Sequence, residues 1–235
     1  MTERVAVLVG GTGRLGTAVA RRLIDRGFKL AVTYLVPEQG TKFEEAFDLD
    51  EQNLLLKRVD ATDGEAVTGF FKEAAEQFDH INVACALVGA WAGGRDTEDT
   101  DDVRLDLMLD VNLRSAFHTV RAALPHLKSA EWGRVITIGS RAALEAPTGQ
   151  VAYNVAKAGV IALAQTVANE LRDTEVTSNA IVPAVIDTPE TREALRWADY
   201  MQWPTPEEIA EVVAFVAGES SAVISGAAIP VYGKA

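Results

Sequence analysis

Arg4-Val5-Ala6-Val7-Leu8-Val9 runs straight into Gly10-Gly11-Thr12-Gly13-Arg14-Leu15-Gly16, and this junction decides the fold. The first six residues are a short apolar run rich in valine, the pattern of a buried strand. Beyond the glycines, Ala18, Val19, Leu23 and Ile24 recur at helical spacing as far as Gly27. Strand, glycine turn and helix in that order begin a βαβ unit. Glycine permits a tight turn and close backbone approach, and the free N–H groups of the helix start favour a pyrophosphate. Gly10, Thr12, Gly13, Arg14, Leu15 and Gly16 are therefore candidate dinucleotide contacts. The spacing is G-x-x-G-x-x-G, one residue away from the G-x-G-x-x-G fingerprint, and a turn serving packing alone is the competing explanation.

The remaining chain repeats the alternation. Apolar runs at 29–34, 54–59, 81–88, 134–139, 177–182 and 227–231 read as six further strands, with Pro183 stopping the sixth of the seven. Helical patterns occupy 65–78, capped by Thr62 or Asp63, then 102–128, 153–171 and 206–217, the last entered through Thr205 and Pro206. Residues 36–52 are acidic and only weakly helical. Several strands are apolar on both faces, which requires helices on both sides of a parallel sheet. The expectation is one α/β domain over residues 1–235, a Rossmann-like doubly wound sheet of about seven strands. No linker, repeat or low-complexity tract divides it.

A net charge of −12 excludes a phosphate backbone as partner and disfavours an anionic membrane surface. The single cysteine, Cys85, lies in an apolar run and permits no internal disulfide. His80, His118 and His126 lack metal-ligand spacing, so no metal is expected. With no signal-like start and no apolar run near eighteen residues, the expectation is a cytoplasmic protein.

A second constellation lies in Ser140-Arg141-Ala142-Ala143-Leu144-Glu145-Ala146-Pro147-Thr148-Gly149-Gln150-Val151-Ala152-Tyr153-Asn154-Val155-Ala156-Lys157. Tyr153 and Lys157 are four apart on one helix face, and Ser140 ends the preceding strand. Hydroxyl, phenol and ammonium facing one cleft make a proton-transfer site. The second strand ends Val32-Thr33-Tyr34-Leu35, without the carboxylate that accepts a ribose 2′-OH and repels a 2′-phosphate. NADP(H) is thus favoured with NAD(H) still open, and Arg14, Thr33 and Tyr34 are candidate contacts. Arg14 reads equally well as an exposed first-turn residue. Asp60 and Ala61, closing the third strand, are placed at the adenine, although a turn aspartate fits Asp60 as well.

Together these residues resemble the short-chain dehydrogenase/reductase family over essentially the whole chain. Tyr153-x-x-x-Lys157 with Ser140 matches its catalytic motif, Asp110-Val111-Asn112-Leu113 its helix asparagine, and Asn179-Ala180-Ile181-Val182-Pro183 through Ile186-Asp187-Thr188-Pro189 its nicotinamide-end segment. The resemblance implies hydride transfer between nicotinamide and a carbonyl or alcohol carbon. Tyr153 is then general acid or base, Lys157 lowers its pKa and holds the ribose, Ser140 orients the substrate oxygen, and Asn112 anchors a water. Val88, Gly89, Pro183, Ile186 and Thr188 would line the cofactor. Trp91, Arg141, Gln150 and Trp203 would line the substrate pocket, under a short lid at 189–203. A homodimer or homotetramer through the helices at 102–128 and 153–171 is also implied.

The chain departs from the family in having Arg14 for a glycine and Ala86-Leu87-Val88-Gly89 for Asn-Asn-Ala-Gly. Gly89-Ala90-Trp91-Ala92-Gly93-Gly94 is similar to the dihydropteridine reductase branch, although that branch carries an acid after the second strand and lacks the serine. A pteridine-type reductase acting on C=N is therefore an alternative, as is a non-catalytic nucleotide-sensing protein.

Overall fold

A computed structural model describes residues 3–234. β1 (Arg4–Val9), β2 (Phe28–Tyr34), β3 (Leu54–Arg58), β4 (Val83–Ala86), β5 (Gly133–Ile138), β6 (Val176–Pro183) and β7 (Ala228–Val231) form one parallel sheet in the order β3-β2-β1-β4-β5-β6-β7. The chain winds outward through β2 and β3, then returns to place β4 on the other side of β1. That reversal opens a crevice at the carboxyl ends of β1 and β4, where ligands of such sheets bind. Val7 pairs with Ala31 on one side and Ala84 on the other, which fixes the register at the reversal.

Alternation along β1 sorts the core. Val5, Val7 and Val9 face α3 (Gly64–Phe78) and α5 (Ser115–Ser129), while Ala6 and Leu8 face α1 (Arg14–Asp25) and α9 (Pro206–Val216). Both faces are apolar because both are covered, as the runs without polar alternation require. α7 (Val151–Glu170) is long and apolar enough by composition to cross a membrane, contrary to the expectation from the sequence. Its inner residues Ala156, Val160, Ile161, Ala164 and Val167 are buried in the protein.

Several segments differ from the sequence expectation. Residues 37–47 form a regular helix, α2 (Pro37–Phe47), with proline in its first turn and the Phe43 and Phe47 rings in tilted contact. Strand β4 is shorter than the apolar run, although Leu87 N still donates to Val9 O. The pattern at 102–128 is not one helix. α4 (Asp102–Met108) passes through a π-helical turn, Leu109–Arg114, before α5. Pro183 closes β6 from within, as its last residue. Two short helices, α6 (Ala142–Glu145) and α8 (Pro189–Ala194), lie in segments read as loop and lid.

Asn179, fully buried in β6, donates to Ile224 O at 2.8 Å and accepts from Ala227 N at 3.0 Å, pinning the segment that leads into β7. Asn179→Ala leaves two backbone groups unsatisfied, and should destabilise the protein by about 2–4 kcal/mol in urea unfolding. Loss below about 1 kcal/mol would mean that water replaces the amide.

Candidate active site

At the glycine turn, Gly10 adopts φ +80°, and a Cβ there would lie 2.5 Å from Val88 Cγ2. A Cβ on Gly16 would lie 2.5–2.7 Å from the backbone of Gly11, which has no room to yield. These glycines bring the start of α1 against the end of β1. Gly13 is different, because its Cβ position meets nothing within 4 Å. It is the N-cap of α1, without a side-chain cap and with no acidic residue in the first turn. Uncapped N–H groups facing open space fit a pyrophosphate.

Thr33, read as a 2′-phosphate contact, has its hydroxyl directed at the glycine turn. It is buried, and its Oγ1 accepts from Gly10 N at 2.8 Å, bracing the turn. Tyr34 packs its ring over Gly40 of α2. Asp60 accepts from Thr62 N and Oγ1 at 2.8 and 2.7 Å, both through Oδ1. Those bonds hold its carboxyl below the ordinary range. Ala61 is buried, with its carbonyl beside His118 Nδ1.

Arg14 reaches the lid. Its Nη2 and Nε contact Glu190 Oε1 at 2.7 and 3.2 Å, and the guanidinium holds Glu190 down to about 2. A cleft of about 650 Å³ opens beside this pair, lined among others by Thr12, Gly13, Arg21, Gln39, Lys42 and Thr188. Thr188 caps α8 in a reciprocal box with Thr191, whose hydroxyl also donates to Ile186 O at 2.6 Å. Leu15 packs inward beside α1's buried face. Pro183 O accepts from Arg141 N at 2.9 Å.

Ser140, Tyr153 and Lys157 converge at the carboxyl end of β5. Lys157 is buried at 5% exposure, and Nζ donates to Ile138 O at 2.8 Å while lying 6.0 Å from the Tyr153 ring centroid. Burial brings the ammonium down to about 8. The Tyr153 phenol is pushed above its ordinary value by burial, and the nearby Ser140 hydroxyl offsets only part of this. The resemblance implied a lowered phenol. Desolvation prevails instead, because burial penalises the phenolate more than the Ser140 hydroxyl favours it.

The π-helical turn explains the placement of Asn112. Widening the helix there frees backbone carbonyls, and Asn112 Nδ2 donates to Met108 O and Ala90 O, both at 3.0 Å. Its Oδ1 accepts from Ala90 N at 3.1 Å, so one buried amide clamps the loop after β4. A Cβ on Gly89 would lie 3.0 Å from Asn112 Oδ1 and 3.2 Å from Lys157 Nζ. Asn112 and Lys157 thus meet over Gly89, and both polar ends of the amide, expected to anchor a water, are engaged with backbone.

On the substrate side, Trp91 Nε1 donates to Gln150 Oε1 at 2.6 Å. Arg95 N donates to Gly149 O at 3.2 Å, so the loops before α4 and α7 are joined. Arg141, read as a substrate-pocket residue, binds Glu145 at 2.7 Å and lies over the Tyr232 ring. Trp203 is half-buried, whereas Trp197 and Met201 of the lid are 84% and 78% exposed. The sequence reading did not single out Glu190 or the Ile138 carbonyl. Neither has a local signal, because each matters through a partner far along the chain.

A family model described as enoyl-(acyl carrier protein) reductase matches residues 12–233. The 3-oxoacyl-[acyl-carrier-protein] reductase MabA of Mycobacterium bovis is 32% identical over 239 residues, covering 98% of this chain and 92% of that protein. D-beta-hydroxybutyrate dehydrogenase of Rhizobium meliloti is 28% identical, covering 95% of each. The crystal structure of gox2181 aligns with a TM-score of 0.91 at 26% identity, covering 99% of this chain and 95% of that one. Neither of the two relatives with a named activity is a pteridine reductase, and the likeness of the Trp91 loop to that branch assigns no substrate. With a likeness that runs through the crevice from the glycine turn to the last strand, the chain belongs to the short-chain dehydrogenase/reductase family of NAD(P)-dependent oxidoreductases.

Proposed function

We propose that the protein interconverts a small carbonyl compound and its alcohol, with NADP(H) preferred over NAD(H). The observation that carries the chemistry is the meeting of Ser140, Tyr153 and Lys157 at one strand end. A phenol with a raised pKa is protonated at neutral pH, the form that donates to a developing alkoxide. In this reading Ser140 holds the carbonyl oxygen and Tyr153 delivers the proton to it. Lys157 holds the nicotinamide ribose, Gly13 and Thr188 the pyrophosphate, and Val88, Gly89, Pro183 and Ile186 the nicotinamide end. The dinucleotide, when bound, supplies the hydride. A nucleotide sensor would not need the buried phenol and ammonium together, and that pairing favours the enzyme.

The cofactor preference rests on the lack of a carboxylate at the end of β2 and on Arg14 and Lys42 at the neighbouring cleft. Thermal shift with NADPH and NADH at equal concentration tests it. At 100-fold excess over Kd, the preferred dinucleotide should stabilise by about 2.7 kcal/mol, or some 5–10 °C in Tm. A larger shift with NADH reverses the preference, and no shift with either removes the reading.

Self-association completes the reading. Val103, Leu107 and Phe117 on α4 and α5, with Val155, Ala158 and Ala162 on α7, are exposed side chains fit for close helix contact between copies. Ala168, farther along α7, is half-buried.

A further inference from the structure

The ion pair between Arg14 and Glu190 joins residues 176 positions apart, and it lies where the cofactor's phosphates have to arrive. Among the described residues no other side-chain hydrogen bond or ion pair links the glycine turn (10–16) to the lid (189–203). Both guanidinium contacts fall on one carboxylate oxygen, so Glu190 occupies the edge of Arg14 that a phosphate oxygen would otherwise take. Resting on the dinucleotide-binding reading above, we propose that Glu190 is a cofactor-positioning residue, a lid-borne carboxylate that occupies Arg14 until a phosphate of the dinucleotide displaces it.

The surroundings support exchange rather than a permanent strut. Both side chains are well exposed, each at 62%, and an exposed pair is held weakly enough for an incoming dianion to replace it. Of the other cations lining the cleft, Lys42 faces the cofactor in the reading above, and the two arginines keep their own places. Arg22 pairs with Asp25 and Glu211, and Arg21 lies over the Phe47 ring. The lid does not depend on the pair for its shape. Asp187 binds Arg192 within the lid, Arg192 covers Tyr200, and the box of Thr188 and Thr191 caps α8. Glu190 is therefore free to let go of Arg14 without unfolding α8. The end of β2 lacks the usual discriminating acid, and here a carboxylate from the opposite side of the cleft occupies Arg14 instead.

The test measures Kd for NADPH and NADH, by quenching of intrinsic tryptophan fluorescence, in the wild type, Glu190→Gln, Arg14→Gln and the double variant. Glu190→Gln should tighten binding by about two- to fivefold, the range an exposed ion pair commands, and high salt should shrink the gain. Arg14→Gln should weaken binding, and in its background Glu190→Gln should change little. That non-additivity is the readout which a purely structural role for Glu190 would not produce. Equal tightening for both dinucleotides assigns the displacing group to the pyrophosphate, whereas tightening for NADPH alone assigns it to the 2′-phosphate. Unchanged or weaker binding in Glu190→Gln overturns the proposal, as does a full gain that persists without Arg14. A wild-type protein that binds neither dinucleotide overturns the cofactor reading, and this one with it.

Discussion

Tyr153→Phe should lower turnover of the best carbonyl substrate found in a panel by about 10²–10⁴-fold, the usual contribution of a positioned general acid. Dinucleotide Kd should stay within about twofold, since the ring itself is kept. The change removes one oxygen from a half-buried side chain that already favours its neutral form, so thermal stability should move little. This combination separates chemistry from architecture. If turnover and cofactor affinity fall together, the phenol is part of the binding surface rather than the proton donor. If turnover is retained, the proton comes from elsewhere and the assignment of Tyr153 fails. The acid is well placed for the reducing direction, because burial that disfavours phenolate keeps the donor loaded at neutral pH. Oxidation requires the opposite charge state, and Lys157 must supply the compensation.

Most of the fold was legible because its signals are local. A β-branched run, a glycine turn and an amphipathic helix lie within twenty-odd residues, and β1, α1 and the crevice follow from them. The helix α2 was missed although Val36-Pro37 marks its start, because the acidic stretch after it shows only two apolar anchors, Phe43 and Phe47. The π-helical turn at 109–114 was hidden for a different reason. Helix periodicity registers apolar positions, and one widened turn shifts the phase less than the scatter of those positions. At the site, Ser140, Tyr153 and Lys157 could be found from spacing, since a strand end and a helix face bring them together. The occupations of Thr33, Arg14 and Arg141 could not. Thr33 braces a turn 23 residues away, Arg14 reaches Glu190, and Arg141 is held between Glu145 and the Tyr232 ring. A sequence shows that a cation exists but not which anion has already claimed it.

Lys157→Met should abolish turnover and yet raise thermal stability near neutral pH, because the protein keeps a buried ammonium for its chemistry at a cost to folding. The group falls from 10.5 in the unfolded chain to about 8 in the native protein. At ~1.4 kcal/mol per pH unit, this is a penalty of about 3 kcal/mol on the charged form. Methionine removes that penalty but also the hydrogen bond to Ile138 O, which takes back about 1–2 kcal/mol. The net gain at pH 7 should be on the order of 1 kcal/mol, a rise of some 2–4 °C in Tm. The sign with pH follows from proton counting. Between pH 8 and 10.5 the unfolded wild type binds a proton that the native protein has released, so wild-type stability rises through that window. Below pH 8 both states hold the proton, and the penalty is present in full. The advantage of Lys157→Met should therefore be greatest at pH 7 or below and shrink steadily towards pH 10. Above pH 10 the raised Tyr153 phenol titrates in the opposite sense, since the unfolded chain then loses its proton first and native stability declines. Melting curves of both proteins from pH 6 to 10 give the comparison directly. A variant that is less stable than the wild type at pH 7 would show that the ammonium is held by more than the Ile138 carbonyl. A gap that widens with pH would show that Lys157 is not the group titrating near 8.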